Sequence, residues 1–201
     1  MTAAPSQTRI VNKALALLGT VTRITSITDG SPPARLAEAL WDETRDEVLA
    51  DHPWNFALAR EALAQSADVA VAGAQWAFAY ELPAGWLRWL PWSDDHPDHF
   101  AGEQEGRCIL SNAAAPIVAR GIARVEDIAR WSPGFQAAIA TKLAAYMATG
   151  VTGQSGMIDR MDALYRRALT DAKRQDGLAS GRRDRNARFR SSWLDARGGG
   201  G

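Results

Sequence analysis

Apolar residues recur every three or four positions in five stretches of the chain, the spacing that places them on one face of an α-helix. In residues 32–50 the opposite face is charged, as expected for a helix half-buried against a core. Ser31 before Pro32, and Ser132 before Pro133, match the preferred residues of a helix start, with serine as the N-cap. The predicted helices are residues 7–18, 32–50, 53–65, 133–150 and 157–177.

Residues 75–124 follow a different pattern, because apolar and polar positions alternate with the period of two typical of strands. The alternating residues are Trp76, Phe78, Tyr80 and Leu82. Residues 86–90 are predicted to pair back on them after the PAG turn. Further short strands are predicted at Phe100, residues 107–110 and residues 117–123, with turns at residues 102–106 and 112–116. The pattern predicts one small antiparallel sheet inserted between helices.

The stretch DHPWNFALAR (residues 51–60) interrupts the helical pattern. Pro53 disfavours helix at His52, so the second helix must end or kink there. A new helix is predicted from Pro53, with Trp54 as an aromatic anchor where the chain changes direction. We therefore predict that His52, Pro53, Trp54 and Phe56 form either a structural joint or a contact with another subunit.

Residues 180–201 differ in kind from the rest of the chain, because they are rich in arginine and glycine. Their large apolar residues are Phe189, Trp193 and Leu194. Such a segment cannot bury enough surface to fold alone, so we interpret it as a tail. In one interpretation the apolar residues anchor the tail on a partner and the arginines reach carboxylates. In the other it is a disordered, solubilising tail.

Composition narrows the possible functions. The 201 residues, of which 46% are hydrophobic, suit one compact domain with appendages. Lys+Arg and Asp+Glu both number 23, whereas proteins that grip nucleic acid strongly usually have a basic excess. A single cysteine, Cys108, permits no disulfide within the chain. No apolar run approaches the ~18 residues of a membrane span, and no signal peptide is recognisable, so we expect synthesis in the cytoplasm.

The eight tryptophans are a large number for a chain of this length, and three fall within GWLRWLPW (residues 85–92). One small core has difficulty enclosing so many large rings, and tryptophan is enriched in protein interfaces. The excess therefore indicates permanent partners, unless the rings are all buried or half-buried within the chain itself.

Candidate chemistry is sparse. DDHPDH (residues 94–99) combines two histidines with three carboxylates, which are acceptable metal ligands, but no second ligand cluster accompanies it, so we interpret it as a polar loop. GVTGQSG (residues 150–156) lacks the Gly-Lys-Ser/Thr of a phosphate-binding loop. Cys108 lies in the apolar stretch RCIL and is expected to be a buried structural thiol. We predict no enzyme, metal or cofactor, because no nucleophile, base and orienting group fall together.

Five stretches of the chain resemble, in the right order, tail tubular protein A and related head-to-tail adaptors of tailed bacteriophages. They are VNKALALLG (residues 11–19), ITS (24–26), RDEVLADHPWNFALAR (45–60), YELPAGWLR (80–88) and SSWLDAR (191–197). HPWNFA and LPAGWLR are the most specific of them, and the resemblance spans nearly the whole chain.

The resemblance implies a structural virion protein at the head–tail interface, assembled in the host cytoplasm. Such proteins form a ring, typically of twelve copies, that lies beneath the portal, extends the DNA channel and presents a platform to the tail. The expected partners are further copies of the chain, the portal protein and a tail nozzle or tail tube protein. DNA is expected to pass through the lumen without sequence-specific contacts, and no membrane is involved.

The resemblance also implies roles for particular residues. The C-terminal segment is expected to clasp the portal through Arg188, Phe189, Arg190, Trp193, Leu194 and Arg197. The loop residues Asp94, Asp95 and His96 are expected to face the tail. A balanced net charge suits a channel wall, because a strongly basic wall would hold the duplex by its phosphates.

The sequence therefore predicts a mainly α fold, a four- to five-helix bundle with an inserted small antiparallel β region and an extended C-terminal tail. The predicted boundaries are 1–74 for the first helices, 75–124 for the β region, 125–178 for the last helices and 179–201 for the basic tail. Two other functions stay open. One is a DNA-binding accessory module that contacts phosphates through the tail, and the other is a cell-envelope hydrolase.

Overall fold

A computed structural model describes residues 6–67, 75–154 and 156–180, and the following elements lie within those ranges. The helices are α1 (Gln7–Leu17), α2 (Pro32–Ala50), α3 (Pro133–Thr152) and α4 (Gly156–Ala179). The strands are β1 (Leu58–Leu63), β2 (Phe78–Glu81), β3 (Trp86–Trp89), β4 (Gly102–Glu105), β5 (Cys108–Ser111) and β6 (Ile117–Ala123). They form two antiparallel three-stranded sheets, in the orders β1-β6-β3 and β2-β5-β4.

The prediction of a mainly α fold is wrong. Helical residues make up 48% and strand residues 17% of the described chain, so the fold is a mixed α/β one with four helices and two sheets. The difference arises in two places. Strand β1 occupies residues predicted as the third helix, and β4 occupies residues predicted as a turn.

Strand β1 shows why the helix prediction failed. Its sequence, LAREAL, consists of strong helix formers, so local propensity favours helix. Instead it pairs with β6 along six residues, from Leu58 opposite Ile122 to Leu63 opposite Ile117. This ladder satisfies the backbone of the whole segment and overrides the local preference. A 3₁₀ turn, Asn55–Ala57, stands where the helix was expected to begin.

The predicted pairing of residues 86–90 with the preceding strand is also wrong. Strand β2 pairs with β5, and β3 pairs with β6, so the chain crosses from one sheet to the other after β2. The sheets bury a shared apolar layer between them, which is what separates β2 from β3. Its buried members are Leu63, Tyr80, Leu82, Trp86, Trp89, Ile109, Ile117 and Ala119.

The helices begin close to the predicted positions. The hydroxyl of Ser132 accepts a hydrogen bond from the Phe135 N–H at 3.2 Å, the expected N-cap for α3. Ser31 precedes α2 but does not cap it through its side chain, contrary to expectation. Prolines at the first two helical positions leave only the Ala34 N–H as a donor for this cap, and the Ser31 hydroxyl does not bond to it.

Helix α3 is the centre of the bundle, with ten buried residues, and it packs against α1, α2 and α4. An aromatic cluster lies at its first turn. The Phe135 ring meets the rings of Trp54 and Trp131 edge to face, each with centroids 5.0 Å apart. Trp41 of α2 stacks on Trp131 at 6.1 Å. The bundle core therefore closes around the start of α3.

The sheets attach to the bundle through β3, which contacts α2 and packs Leu87 against the bundle core, and through β6. Ile122 is fully buried in the bundle core although it belongs to a strand. Two residues further on, Arg124 forms an ion pair with Asp46 of α2 at 2.7 Å, which raises the pKa of the arginine. Asp46 also contacts the buried guanidinium of Arg45 at 2.8 Å. A charged network therefore joins the end of β6 to α2.

Candidate interaction surfaces

The predicted joint is a packed corner of the bundle core. Trp54 is fully buried, and its indole N–H donates to the Val48 carbonyl at 2.8 Å, in the last turns of α2. The ring of Phe56 stacks on Trp54 at 6.2 Å and is partly buried, and His52 meets Trp54 edge to face at 4.8 Å. Pro53 is half-buried. The structure therefore places Trp54 inside the chain, where another subunit cannot reach it.

Asp176, near the end of α4, fastens that helix to the joint. Its carboxylate accepts the Asn55 N–H at 3.2 Å, and its carbonyl accepts from the Asn55 side chain at 2.7 Å. His52 Nε2 lies 3.3 Å from the same carboxylate. Asp176 is 8% exposed, so this is a buried clamp. Sequence inspection missed it, although the aspartate at a core position of an amphipathic helix was a usable signal.

A second polar group joins α2, α3 and α4 beside the joint. Lys142 Nζ lies 2.7 Å from Glu47 Oε1, and Glu47 also accepts the Tyr146 hydroxyl. Burial opposes the charged form of Lys142, but its hydrogen bonds raise its pKa. The Tyr165 hydroxyl donates to Asp51 at 2.7 Å, and burial followed by this bond raises the pKa of Tyr165. These contacts hold the three helices together, and none of these residues was predicted as a site.

The loop with the predicted tail-facing residues folds against a sheet. The His96 ring stacks on Trp92 with centroids 3.9 Å apart, and the Arg120 guanidinium lies 4.7 Å from the centroid of the Trp92 ring. Asp94 is fully exposed, with His99 Nε2 3.4 Å from its carboxylate, and Asp95 is exposed too. The structure thus holds His96 against the body and presents the two carboxylates to solvent.

Most of the tryptophans lie inside the chain. Those buried are Trp41, Trp54, Trp86, Trp89, Trp92 and Trp131. Trp76 is half-buried, and Trp193 lies outside the described residues. Two cores, one in the bundle and one between the sheets, enclose rings that a single core could not. The number of tryptophans is therefore not evidence for a partner.

The predicted portal-binding residues, 188–190, 193, 194 and 197, all lie outside the described residues.

Cys108, expected to be buried, is half-exposed on β5. Small surface cavities among the described residues include one of about 220 Å³ beside Leu36 and Gly150 and one of about 300 Å³ beside Ile10 and Pro133.

In residues 6–67, 75–154 and 156–180, no cluster of three or more His, Cys, Asp or Glu side chains is arranged to hold a metal ion. Within the same ranges, no helix has the length and apolar character that crossing a membrane requires. No protein-family model matches the chain, and no curated protein matches it.

Proposed function

We propose that this chain is a structural virion protein, a head-to-tail adaptor that forms a ring beneath the portal and carries the tail. The support is the ordered set of motifs that resemble phage adaptors, of which HPWNFA contributes the corner around Trp54. The proposed ring holds about twelve copies, as the resemblance implies, and leaves a channel for DNA. Asp94 and Asp95 are proposed to face the tail nozzle or tube, because both carboxylates are exposed to solvent.

The observation that carries the proposal is the clamp at the end of α4. Asp176 binds Asn55 and contacts His52, so the last turn of α4 is held to the adaptor-like motif. The arginine-rich segment that follows Ser180 therefore starts from a fixed point on the body. A docking arm benefits from such an origin, because a fixed start reduces the conformational entropy lost on binding.

Removal of residues 181–201 tests the proposal. The truncated chain should keep the circular dichroism and unfolding free energy of the full chain, because the clamp and both cores are retained. It should lose attachment to portal-bearing capsids, observed by electron microscopy.

Within the full chain, Trp193→Ala should weaken attachment by ~2 kcal/mol or more if this ring is a central anchor. A truncated chain that attaches as tightly as the full chain contradicts the proposal.

A DNA-binding accessory module is the second candidate, favoured by the charge of the C-terminal part. Residues 156–201 contain 11 Lys+Arg against 6 Asp+Glu. If this part contacts phosphates, the DNA affinity of the full chain must fall steeply as salt rises. Weak binding at low salt, or an affinity that salt does not change, removes this candidate.

A further inference from the structure

Helix α4 presents a row of arginines to solvent. Arg160, Arg167 and Arg174 are exposed and stand seven residues apart, so they share one face with steps of about 10.5 Å. The opposite face of α4 is buried against the bundle through Met161, Tyr165 and Ala172. Within the described ranges, none of the three arginines has a carboxylate within salt-bridge distance. We call this row the α4 arginine face.

Helix α2 presents the opposite charge. Glu38, Asp42 and Glu43 are exposed on the side that faces away from the core. Asp42 pairs with Arg45 at 2.9 Å, but Glu38 and Glu43 form no salt bridge within the part of the chain that the structure describes. We call Glu38, Asp42 and Glu43 the α2 acidic face. Both helices pack on α3, so the two faces belong to one bundle.

The zero net charge of the chain conceals this separation. Residues 32–50, which form α2, contain 5 Asp+Glu against 2 Lys+Arg, and residues 156–179, which form α4, contain 5 Lys+Arg against 4 Asp+Glu. The larger basic excess, 6 against 2, lies in residues 181–201. A contact that repeats head to tail between identical copies needs two different, complementary faces on each copy. Complementary charge on such faces selects the partner and fixes the register.

We infer that the α4 arginine face of one copy docks on the α2 acidic face of the next. The inference rests on the proposed ring and names the surfaces by which its copies meet. Another copy fits better than nucleic acid, because α4 has only 5 Lys+Arg against 4 Asp+Glu, whereas surfaces that bind nucleic acid usually have a large basic excess. A second copy also accounts for the acidic face, which a DNA duplex would not contact.

Two charge-reversed full-length variants test the contact. In the first, Arg160→Glu, Arg167→Glu and Arg174→Glu make the α4 face acidic. In the second, Glu38→Lys and Glu43→Lys make the α2 face basic. Alone, each variant brings like charges together and should self-associate less than the unmodified chain. Mixed, each offers the other two complementary contacts, so the mixture should associate at least about tenfold more tightly than either variant alone. Sedimentation velocity at low ionic strength measures this.

A third variant controls for attraction between unlike net charges. Glu61→Lys with Glu105→Lys makes the same charge change on exposed strand residues that lack a salt bridge within the described chain. Mixed with the α4 variant, it should not reproduce the association. The inference is wrong if this control associates equally well, or if the α2 and α4 variants do not associate. Loss of duplex DNA binding in the α4 variant, without that association, would instead identify a nucleic-acid surface.

The two proposals fail separately. If the charge-reversed mixture does not associate but the full chain still attaches to portal-bearing capsids, the adaptor function is supported and the copies contact each other through other surfaces. If the mixture associates but neither the full chain nor its truncated form attaches to capsids, the contact between copies is supported and the adaptor function is contradicted. Circular dichroism of each variant shows that the bundle is folded before either result is interpreted.

Discussion

The indole N–H groups of the buried tryptophans find their hydrogen-bond acceptors at different sequence distances in the bundle and in the sheets. In the bundle, the indoles of Trp54 and Trp131 each donate to a carbonyl six residues earlier, at 2.8 and 2.9 Å. Between the sheets and their loops, Trp92 donates to the Val118 carbonyl, 26 residues away. The buried indole N–H of Trp89 has no partner among the described residues.

The comparison shows that these tryptophans depend on different ranges of the sequence. The indole bonds of Trp54 and Trp131 close short loops, which costs little entropy, although the bundle also needs distant contacts such as that between Asn55 and Asp176. The sheets need pairings such as Leu58 with Ile122, which close long loops and form only when the whole region folds. We therefore expect loss of packing to destabilise the bundle most at the corner around Trp54. We expect the sheets to be most sensitive at Gly121, where the backbone lies closest to the Trp86 ring.

Trp54→Ala should have the largest effect. It removes a fully buried ring from the aromatic cluster and leaves the Val48 carbonyl without its donor, so we expect a loss of about 3–5 kcal/mol in unfolding free energy. Urea denaturation followed by circular dichroism measures it. Trp76→Ala, at a half-buried ring beside the sheets, is the control and should cost less than about 1.5 kcal/mol. Equal losses would mean that the buried ring of Trp54 contributes no more to stability than a half-buried ring does.

Gly121→Ala tests the closest approach in the sheets. A Cβ at Gly121 would lie 2.1 Å from Cε3 of Trp86, so the ring or the strand must shift. We expect a loss of about 1–3 kcal/mol from overpacking. At Gly85 a Cβ would meet nothing within 4 Å, so Gly85→Ala is the matched control and should stay within about 0.5 kcal/mol. A neutral Gly121→Ala would show that the sheets adjust freely there.

Asp176→Ala tests how firmly α4 is held to the joint. It removes the acceptor of the Asn55 N–H, and an unsatisfied, partly buried donor costs about 1–2 kcal/mol. Amide hydrogen exchange should rise locally in the last turns of α4. Asp171→Ala, at an exposed position of the same helix, should change neither quantity. Unchanged exchange in Asp176→Ala would mean that other contacts hold the helix end.

The last predicted effect is confined to alkaline pH. Burial and the Asp51 bond raise the pKa of Tyr165, so above pH ~10 the unfolded chain releases this proton while the folded chain keeps it. Its stabilising contribution is complete below pH ~10 and is lost as pH rises toward the folded pKa. The unfolding free energy should therefore fall by about 1.4 kcal/mol per pH unit for this group. Tyr165→Phe should show a correspondingly shallower decline, and identical slopes contradict the assignment.

Sequence reasoning succeeded where the signals are local. The boundaries of α2 and the Ser132 cap follow from periodicity, proline and serine within a few residues. It failed for β1, because a strand made of helix formers is specified by its pairing with β6. It also missed the clamp: the aspartate at a core position of α4 indicated a buried partner, but Asn55 is 121 residues away and nothing in the sequence identified it as that partner.

The sequence by itself determined the four helices, the break at Pro53 and the positions of β5 and β6, because spacing and backbone restrictions act over a few residues. Only the tertiary structure decided that β1 is a strand and that the described residues form two sheets and bury six tryptophans. These outcomes depend on which distant segments satisfy each other's backbone groups and apolar surface. That choice is made by the free energy of the whole fold and by no single segment.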